Sequence, residues 1–200
     1  MKINRHTALI IANPQIDFFM GGAMEVPQAE SILPILGEWI PQFETIFVTM
    51  DWHPANHISF AASHPWRQIG QIIEQQEHPI ELKPIHCVQH TFGARLHPQL
   101  IFPTPPSTIH KGTAAITEDE NAFNNLGAPT TLTSFLTNKN IKEIYVAGFI
   151  LEDNILSTAL KGKQLGYTMS VIIDASLGRV TKDGKAKLEA YLKMQGIGIK

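Results

Sequence analysis

Short apolar runs alternate along this chain with segments whose apolar residues recur at helical spacing. Runs such as "ALIIA" and "EIYVAGF" contain almost no polar residue, which is typical of strands buried on both faces of a parallel sheet. Strands alternating with helices predict a three-layer α/β/α fold with a mostly parallel central sheet. We predict strands at residues 8–12, 45–50, 107–111, 143–149 and 169–175, and helices at residues 29–43, 132–139, 153–166 and 183–196.

The length of the chain limits its organisation. Its 200 residues, 44% of them hydrophobic, are enough for one substantial core and few for two, so we predict a single domain over residues 1–200. Residues 52–106 interrupt the alternation with a stretch rich in Pro, His, Gln and Ser. A connection that long is usually functional or has short elements of its own, so we expect it to contribute to a functional site.

Charge and cysteine content narrow the partners and the location. The formal net charge is −2 and no block of Lys and Arg is present, which argues against nucleic acid or an anionic membrane as a partner. No apolar run approaches the roughly eighteen residues of a membrane span. The lone cysteine, Cys87, cannot form an internal disulfide. We therefore expect a cytoplasmic protein that binds a small molecule.

Polar residues follow the predicted strands at the edge where parallel sheets bind ligands. Asp51 and His53 stand two apart at a strand end, so their side chains point to the same side of the backbone. With one or two further ligands they could hold a divalent metal, and His57 and His86 are candidates. The other residues in such positions are Asn13, Asp17, Lys111 and the segment 150–154.

Each of these signals also has an ordinary structural explanation. A D-x-H pair is most often a solvated turn carboxylate beside a half-buried histidine, and Lys111 alone would more often be a surface lysine. Adjacent residues on an extended chain point opposite ways, so Cys87 beside His86 is better explained as a buried structural thiol than as a nucleophile. Phe18 would more often pack in the core than against a ligand.

Taken together and in order, the motifs resemble a known family. The blocks "ALIIANPQIDFFMGGAMEVP", "FVTMDWHPANHISFAASHP", "HCVQHTFGARLHP", "IHKGT" and "IYVAGFILEDNILSTALKGKQLGY" are similar to those of nicotinamidases, within the isochorismatase-like cysteine hydrolase superfamily. The resemblance extends from about Ala8 to Ala175. It implies a mostly parallel sheet with helices on both sides, and a homo-oligomer.

The resemblance also implies roles for individual residues. The family metal is bound by an aspartate and two histidines, which match Asp51, His53 and His86, with a further histidine in some members that matches His57. The ion implied is most often zinc, with iron and manganese as alternatives. The catalytic lysine matches Lys111. Two positions depart from the family: Asn13 stands in place of the catalytic aspartate, and Asn154 in place of the nucleophilic cysteine.

The two asparagines bear directly on the expected chemistry. Cysteine-dependent amide hydrolysis needs a thiolate, a carboxylate base and oxyanion donors, for which the backbone N–H groups of Ile150 and Asn154 are candidates. An asparagine side chain can act neither as the thiolate nor as the base. Loss of a triad nucleophile costs on the order of 10⁶ in turnover. We discount Cys87 as a substitute, and also Asp153, because a one-residue shift in a helix turns a side chain by about 100°.

Two functions remain open from the sequence. The favoured one is a catalytically inactive or degenerate nicotinamidase homologue that keeps a metal-centred pocket for a small molecule. The alternative is a metal-dependent amide hydrolase that uses a metal-activated water, since zinc can lower the pKa of bound water to about 7.

The pocket wall also differs from the family pattern. Lys83 replaces an aromatic residue that packs on the pyridine ring, whereas Phe18 matches the other ring-packing residue. Asn13 removes a negative charge and Lys83 adds a positive one, so we predict a small planar ligand that is a pyridine or a carboxylate. The sequence leaves open whether Asn13 and Asn154 hydrogen-bond each other.

Overall fold

The protein is built around one six-stranded sheet. A computed structural model describes residues 3–75, 78–119, 121–125 and 128–200. In chain order its strands are β1 (Thr7–Ala12), β2 (Thr45–Asp51), β3 (Ile72–Gln75), β4 (His78–Glu81), β5 (Ser107–Lys111), β6 (Asn124–Asn125), β7 (Ala128–Pro129), β8 (Glu143–Phe149), β9 (Thr168–Leu177) and β10 (Gly198–Ile199). The α-helices are α1 (Ile32–Trp39), α2 (Thr131–Asn138), α3 (Leu156–Gln164) and α4 (Lys182–Met194).

The order of strands in the sheet is β10-β9-β8-β1-β2-β5, and every neighbouring pair in it is parallel. Ala12, the last residue of β1, pairs with Thr49 on one side and Gly148 on the other. The last residues of β2 and β5, Asp51 and Lys111, pair with each other. The carboxyl ends of β1, β2, β5 and β8 therefore lie side by side.

Alternation of side chains along each strand gives the sheet two apolar faces. Leu9 and Ile11 of β1 pack in the cluster that includes Ile32 and Leu36 of α1. Ala8, Ile10 and Ala12 face the opposite way, into the cluster that contains apolar residues of α2, α3 and α4. Helices thus cover both faces, which confirms the predicted three-layer α/β/α fold with a parallel central sheet.

Two helical predictions needed correction. The segment predicted as one helix over residues 29–43 consists of 3₁₀ turns on either side of α1, because Pro41 has no amide hydrogen and ends the regular helix near Trp39. The helix predicted from residue 153 begins as a π-helical turn over Leu151–Ile155 before α3.

The long middle segment also has structure that the apolar pattern did not predict. Residues 52–106 contain a 3₁₀ turn at Ala61–Ser63 and the antiparallel hairpin of β3 and β4. Elsewhere the five predicted sheet strands are present to within two residues at either end.

The last helix shows how the sequence sets the ends of an element. Thr181 caps α4 by accepting a hydrogen bond from Gly184 N at 3.2 Å, and Gly196 follows the helix with a φ of +69°. At 13 residues α4 is the longest α-helix described. None of the helices in the described ranges combines the length and the apolar character needed to cross a bilayer.

Candidate metal-centred active site

A buried ion pair joins the ends of two neighbouring strands. Lys111 Nζ lies 3.0 Å from Asp51 Oδ1, and only 1% of the Lys111 residue is exposed. Burial alone would raise the pKa of Asp51, but Lys111, His53 and His86 outweigh it and hold that pKa well below its usual range. Asp51 is therefore a carboxylate at any ordinary pH, and Lys111 is not the surface lysine that its sequence position alone would suggest.

The two asparagines bind the members of this pair and do not bind each other. Asn13 Nδ2 donates to Asp51 Oδ2 at 2.9 Å, and Asn154 Oδ1 accepts from Lys111 Nζ at 2.8 Å. Asn13 Oδ1 lies 3.4 Å from the Thr49 hydroxyl. The four polar side chains form a continuous chain, Asn13–Asp51–Lys111–Asn154, that crosses the carboxyl ends of the sheet.

Two histidines, His53 and His86, lie beside Asp51, and each is held at Nδ1 by a backbone carbonyl. His53 Nδ1 donates to Gly112 O at 3.0 Å and His86 Nδ1 donates to Pro84 O at 2.9 Å, because a carbonyl can only accept. In the neutral rings Nε2 then carries a lone pair. His53 Nε2 is buried and has no hydrogen-bond partner among the described residues. Burial, the largest influence, lowers the pKa of His86 to about 4, which keeps that ring neutral.

These atoms form a donor set that suits a divalent metal. Ligand atoms of Asp51, His53 and His86 all lie within 4.8 Å of one another, and all three residues are buried. One carboxylate and two imidazoles, each imidazole held by a carbonyl on its other nitrogen, are typical of sites for zinc, iron or manganese. The three ligands predicted from the sequence are thus brought together.

Other polar residues fix the backbone of the ligands. The Gln15 side chain donates to Asp51 O at 2.7 Å and accepts from Asp51 N at 2.8 Å. Asp17 Oδ2 accepts from Cys87 N at 2.6 Å and so anchors the segment next to His86. Sequence analysis placed Asp17 after a strand but did not identify Gln15, because a single glutamine has no distinguishing pattern.

His57 belongs to a different group from the one predicted. Its ligand atoms cluster with those of His53 and Glu118, all within 4.8 Å, whereas the cluster around Asp51 does not include it. Glu118 was not identified from the sequence, where it lies in an acidic stretch after β5 that resembles a solvated loop. Lys83 Nζ contacts Glu118 Oε1 at 2.5 Å, so the positive charge of Lys83 is paired with a carboxylate. The more cationic pocket expected from the sequence stays a prediction.

The apolar and backbone parts of the site lie around the start of the π turn. Phe18 is buried, stacks on Phe149 with ring centroids 5.9 Å apart, and meets the His86 ring edge-on at 6.1 Å. The peptide bond between Phe149 and Ile150 is cis. Ile150 and Asn154 are both buried, as positions at an oxyanion site would be.

Two residues discounted from the sequence can now be placed. Burial raises the pKa of the Cys87 thiol well above its ordinary value, which agrees with a structural thiol. Asp153 is half-buried, and burial raises its pKa against the opposing charges of Lys83 and Lys111. Asp153 therefore lies within electrostatic reach of Lys83 and Lys111.

Comparison with family models gives a direct match. The isochorismatase domain model matches residues 7–197, which is nearly the whole chain. The chain belongs to the isochorismatase family. Family membership agrees with the order of sheet strands and with the position of the polar cluster at their carboxyl ends.

Curated relatives within this family are nicotinamidases. The chain is 36% identical to the nicotinamidase of Acinetobacter baylyi over 177 residues, which cover 88% of this chain and 83% of the relative. It is 34% identical to the nicotinamidase of Escherichia coli over 200 residues, which cover 96% of this chain and 92% of the relative. The protein is thus nicotinamidase-like over most of its length.

Solved structures give the same relationship. A nicotinamidase and pyrazinamidase from Acinetobacter baumanii superposes with a TM-score of 0.92 at 34% identity, covering 99% of this chain and 97% of that one. A pyrazinamidase from Pyrococcus horikoshii in complex with zinc gives 0.81 at 30% identity, with 98% of both chains covered. A yeast nicotinamidase bound to the inhibitor nicotinaldehyde superposes with a TM-score of 0.86 at 26% identity, covering 96% of this chain and 98% of that one.

Proposed function

We propose that this chain is a metal-dependent hydrolase of a small planar carboxamide such as nicotinamide. One observation carries the proposal: the buried, unpartnered Nε2 of His53 lies in a tight group with ligand atoms of Asp51 and His86, next to the Lys111 ammonium. A buried lone pair without a partner is costly, and a bound cation removes that cost. The residues therefore fit a divalent ion, for which zinc is the first choice and iron or manganese the alternatives.

A bound ion and the side chains of the protein would each supply part of the chemistry. A bound divalent ion supplies Lewis acidity and lowers the pKa of a bound water towards 7. Lys111 supplies a fixed positive charge at the strand ends, where it can donate a hydrogen bond to an amide oxygen that gains negative charge. Asn154 holds the Lys111 ammonium in place. The backbone N–H groups of Ile150 and Asn154 stay our prediction for the oxyanion donors.

A thiol has no part in this mechanism. We propose that Asn13 and Asn154 occupy the positions of the family's catalytic aspartate and cysteine. Neither amide can serve as base or nucleophile, and the single thiol of the chain, Cys87, is buried with a raised pKa. Hydrolysis by this chain consequently depends on water and on the metal site.

The relatives favour this function over the inactive homologue that the sequence alone made first choice. They are named as nicotinamidases, and such enzymes hydrolyse an amide to release ammonia. The inactive homologue remains a second candidate because of one observation. Asn13 and Asn154 satisfy Asp51 and Lys111 by hydrogen bonds, so the site is stable without any catalytic base or thiol.

The proposed ligand is a pyridine carboxamide or a related pyridine acid. A yeast nicotinamidase of the same fold binds nicotinaldehyde. In this chain Phe18, stacked on Phe149 beside His86, offers an apolar ring surface next to the metal site. The partly buried Lys83–Glu118 pair makes the wall more polar than an aromatic residue would, so we propose weaker packing on the ring than in the relatives.

Ammonia release from nicotinamide tests the proposal. We expect the zinc-, iron- or manganese-loaded protein to release ammonia, and the chelated protein and an Asp51→Asn variant not to. An Asp174→Asn variant, changed at an exposed carboxylate on β9, is the matched control and keeps the rate. An Asn13→Asp/Asn154→Cys double variant separates the second candidate, since activity in that variant alone would support an inactive natural protein.

Three broader expectations stay predictions. A single domain over residues 1–200, a cytoplasmic location and a homo-oligomer follow from the sequence and from the family resemblance. Size-exclusion chromatography with light scattering measures the last of these, and a monomer would contradict it.

A further inference from the structure

A second group of potential metal ligands shares His53 with the first. Ligand atoms of His53, His57 and Glu118 lie within 4.8 Å of one another. His53 and His57 are almost fully buried, at 3% and 0% exposed, and Glu118 is partly buried. The mechanism proposed above makes no use of His57 or Glu118.

Hydrogen bonds fix which ring nitrogen of His57 faces Glu118. His57 Nε2 donates to Thr117 O at 2.8 Å, so Nδ1 carries the lone pair in the neutral ring. That Nδ1 lies 3.6 Å from Glu118 Oε2. The Ser59 hydroxyl donates to the same Nδ1 at 2.8 Å and Ser59 N at 3.3 Å. A cation at Nδ1 would take the place of these two hydrogen bonds.

Two of the three groups have buried atoms with no partner. His53 Nε2 and Glu118 Oε2 both lack a hydrogen-bond partner among the described residues. In the neutral ring His53 Nε2 is an electron-pair donor, because Nδ1 holds the proton that is donated to Gly112 O, and a carboxylate oxygen is a donor of the same kind. Donor atoms that converge without a proton between them are stabilised by a positive ion.

Lys83 orients the carboxylate. It contacts Glu118 Oε1 at 2.5 Å and leaves Oε2 directed to the histidines. Burial would raise the pKa of Glu118, but the nearby Lys83 outweighs it and lowers that pKa to about 2, so the group is anionic at neutral pH. Lys83, which stands where the family pattern has an aromatic residue, therefore positions Glu118.

We propose that His53, His57 and Glu118 form a second position for a divalent cation, an alternative to the position at Asp51, His53 and His86. Both positions need the same free nitrogen, His53 Nε2, so the chain binds one ion at a time. Two imidazoles and one carboxylate are a donor set that accepts zinc, iron, manganese or cobalt. The proposal concerns binding alone and does not require that the protein hydrolyse an amide.

Zinc binding by variants that lack the first position tests the proposal. We expect His86→Ala to bind one zinc ion per chain with an affinity about 10- to 100-fold below the natural protein. Adding Glu118→Gln to His86→Ala should lower the affinity a further tenfold or more. Adding Glu81→Gln instead, at an exposed carboxylate that pairs with Arg179, should leave it unchanged. Competition with a chromophoric chelator gives the affinity, and elemental analysis gives the stoichiometry.

A second starting variant, Asp51→Asn, controls for a folding defect in His86→Ala. Asp51→Asn also disables the first position and keeps the shape of the side chain, and thermal unfolding in chelator shows which variants are folded. The proposal is overturned if, in a folded background, Glu118→Gln leaves the zinc affinity unchanged, or if the natural protein binds two zinc ions per chain.

Discussion

At the scale of single residues, Lys111 is the group whose burial demands the most compensation. Its ammonium contacts Asp51 Oδ1, Asn154 Oδ1 and, at 3.4 Å, Asp119 O. Removing one member of a buried ion pair leaves the other charge without a partner, which usually costs 3 kcal/mol or more. The stability of this edge of the sheet and its proposed chemistry therefore depend on the same side chain.

Replacing Lys111 tests both roles. We expect Lys111→Met to lower the free energy of unfolding of the metal-free protein by about 3 kcal/mol. The decrease should be smaller when zinc is bound, because the ion then balances the negative charge of Asp51. Loss of the hydrogen-bond donor should lower kcat for nicotinamide by about 10²-fold. Urea unfolding and ammonia release measure the two effects, with Lys139→Met at an exposed site as the control. Equal stability of Lys111→Met and natural protein without zinc would contradict the account.

The Glu118 carboxylate should make stability depend on pH in acid. Its pKa is lowered from 4.5 to about 2 in the folded protein. A carboxylate with a depressed folded-state pKa stabilises the fold above its unfolded pKa, and that contribution is lost as the pH falls from about 4.5 through 2. In chelator, the natural protein should exceed Glu118→Gln by about 2 kcal/mol at pH 7, and this difference should shrink below pH 4.5. A difference that stays constant down to pH 2.5 would show that the charge has no such role.

The limits of sequence analysis are clear at this scale. Asp51, His53 and Lys111 could be found because they end or follow strands that the apolar pattern predicts, and His86 was found as a candidate ligand that the family resemblance also matches. Glu118 and Gln15 could not, since each acts through a hydrogen bond to a residue distant in sequence, such as Lys83 or Asp51. The sequence also could not show which groups bind the two asparagines. Asn13 binds Asp51 and Asn154 binds Lys111, and each partner is distant from its asparagine in the sequence.

At the scale of elements, the site depends on loops that are tied to the strand ends. The turn after β1 reaches the segment that contains His86 through Asp17, which accepts from Cys87 N and, at 3.3 Å, from Ala23 N. Gly93 passes so close to this carboxylate that a Cβ atom there would lie 2.2 Å from Asp17 Oδ1. We therefore expect Asp17 to act on the candidate metal site by positioning His86.

Loosening this connection should weaken metal binding. We expect Asp17→Ala to lower zinc affinity about tenfold, because a freed His86 must be ordered when the ion binds. Asp17→Asn keeps an oxygen acceptor and should restore most of the affinity. Isothermal titration with zinc distinguishes the variants, and Asp174→Ala at an exposed position of β9 is the control. Unchanged affinity in Asp17→Ala would remove the positioning role.

Elements were predictable where one physical pattern dominated. Strands buried on both faces are apolar almost throughout, so β8 was predicted with the bounds that the structure shows. The edge strand β5 was also predicted with its observed bounds, although two of its five residues are exposed. The hairpin of β3 and β4 was not, because it lies outside the central sheet and residues such as Ile72 remain exposed. The π turn at Leu151–Ile155 cannot be told from a regular helix by apolar spacing, so the sequence predicted a regular helix from residue 153.

At the scale of the whole molecule, we expect metal binding and folding to be linked. The candidate ligands come from β2 and from the segment after the β3–β4 hairpin, so an ion can bind fully only when these parts are in place. An ion that binds the folded chain stabilises it by about 2.7 kcal/mol at a free concentration 100 times the Kd. We expect zinc at that concentration to raise the free energy of unfolding by about this amount, and Asp51→Asn to lose most of the gain. Denaturant titration with and without zinc gives the answer, and equal gains in both proteins would place the ion elsewhere.

We propose that this chain hydrolyses an amide with a metal and without a thiol. Because Cys87 is the only cysteine in the sequence, a Cys87→Ala variant has no thiol at all. The most direct measurement is the initial rate of ammonia release from nicotinamide by this variant, with zinc, iron or manganese bound and after chelation. The account predicts that the metal-loaded variant keeps most of the natural rate and that chelation abolishes it. Absence of activity in every metal-loaded form, or activity that survives chelation and disappears with Cys87, would contradict it.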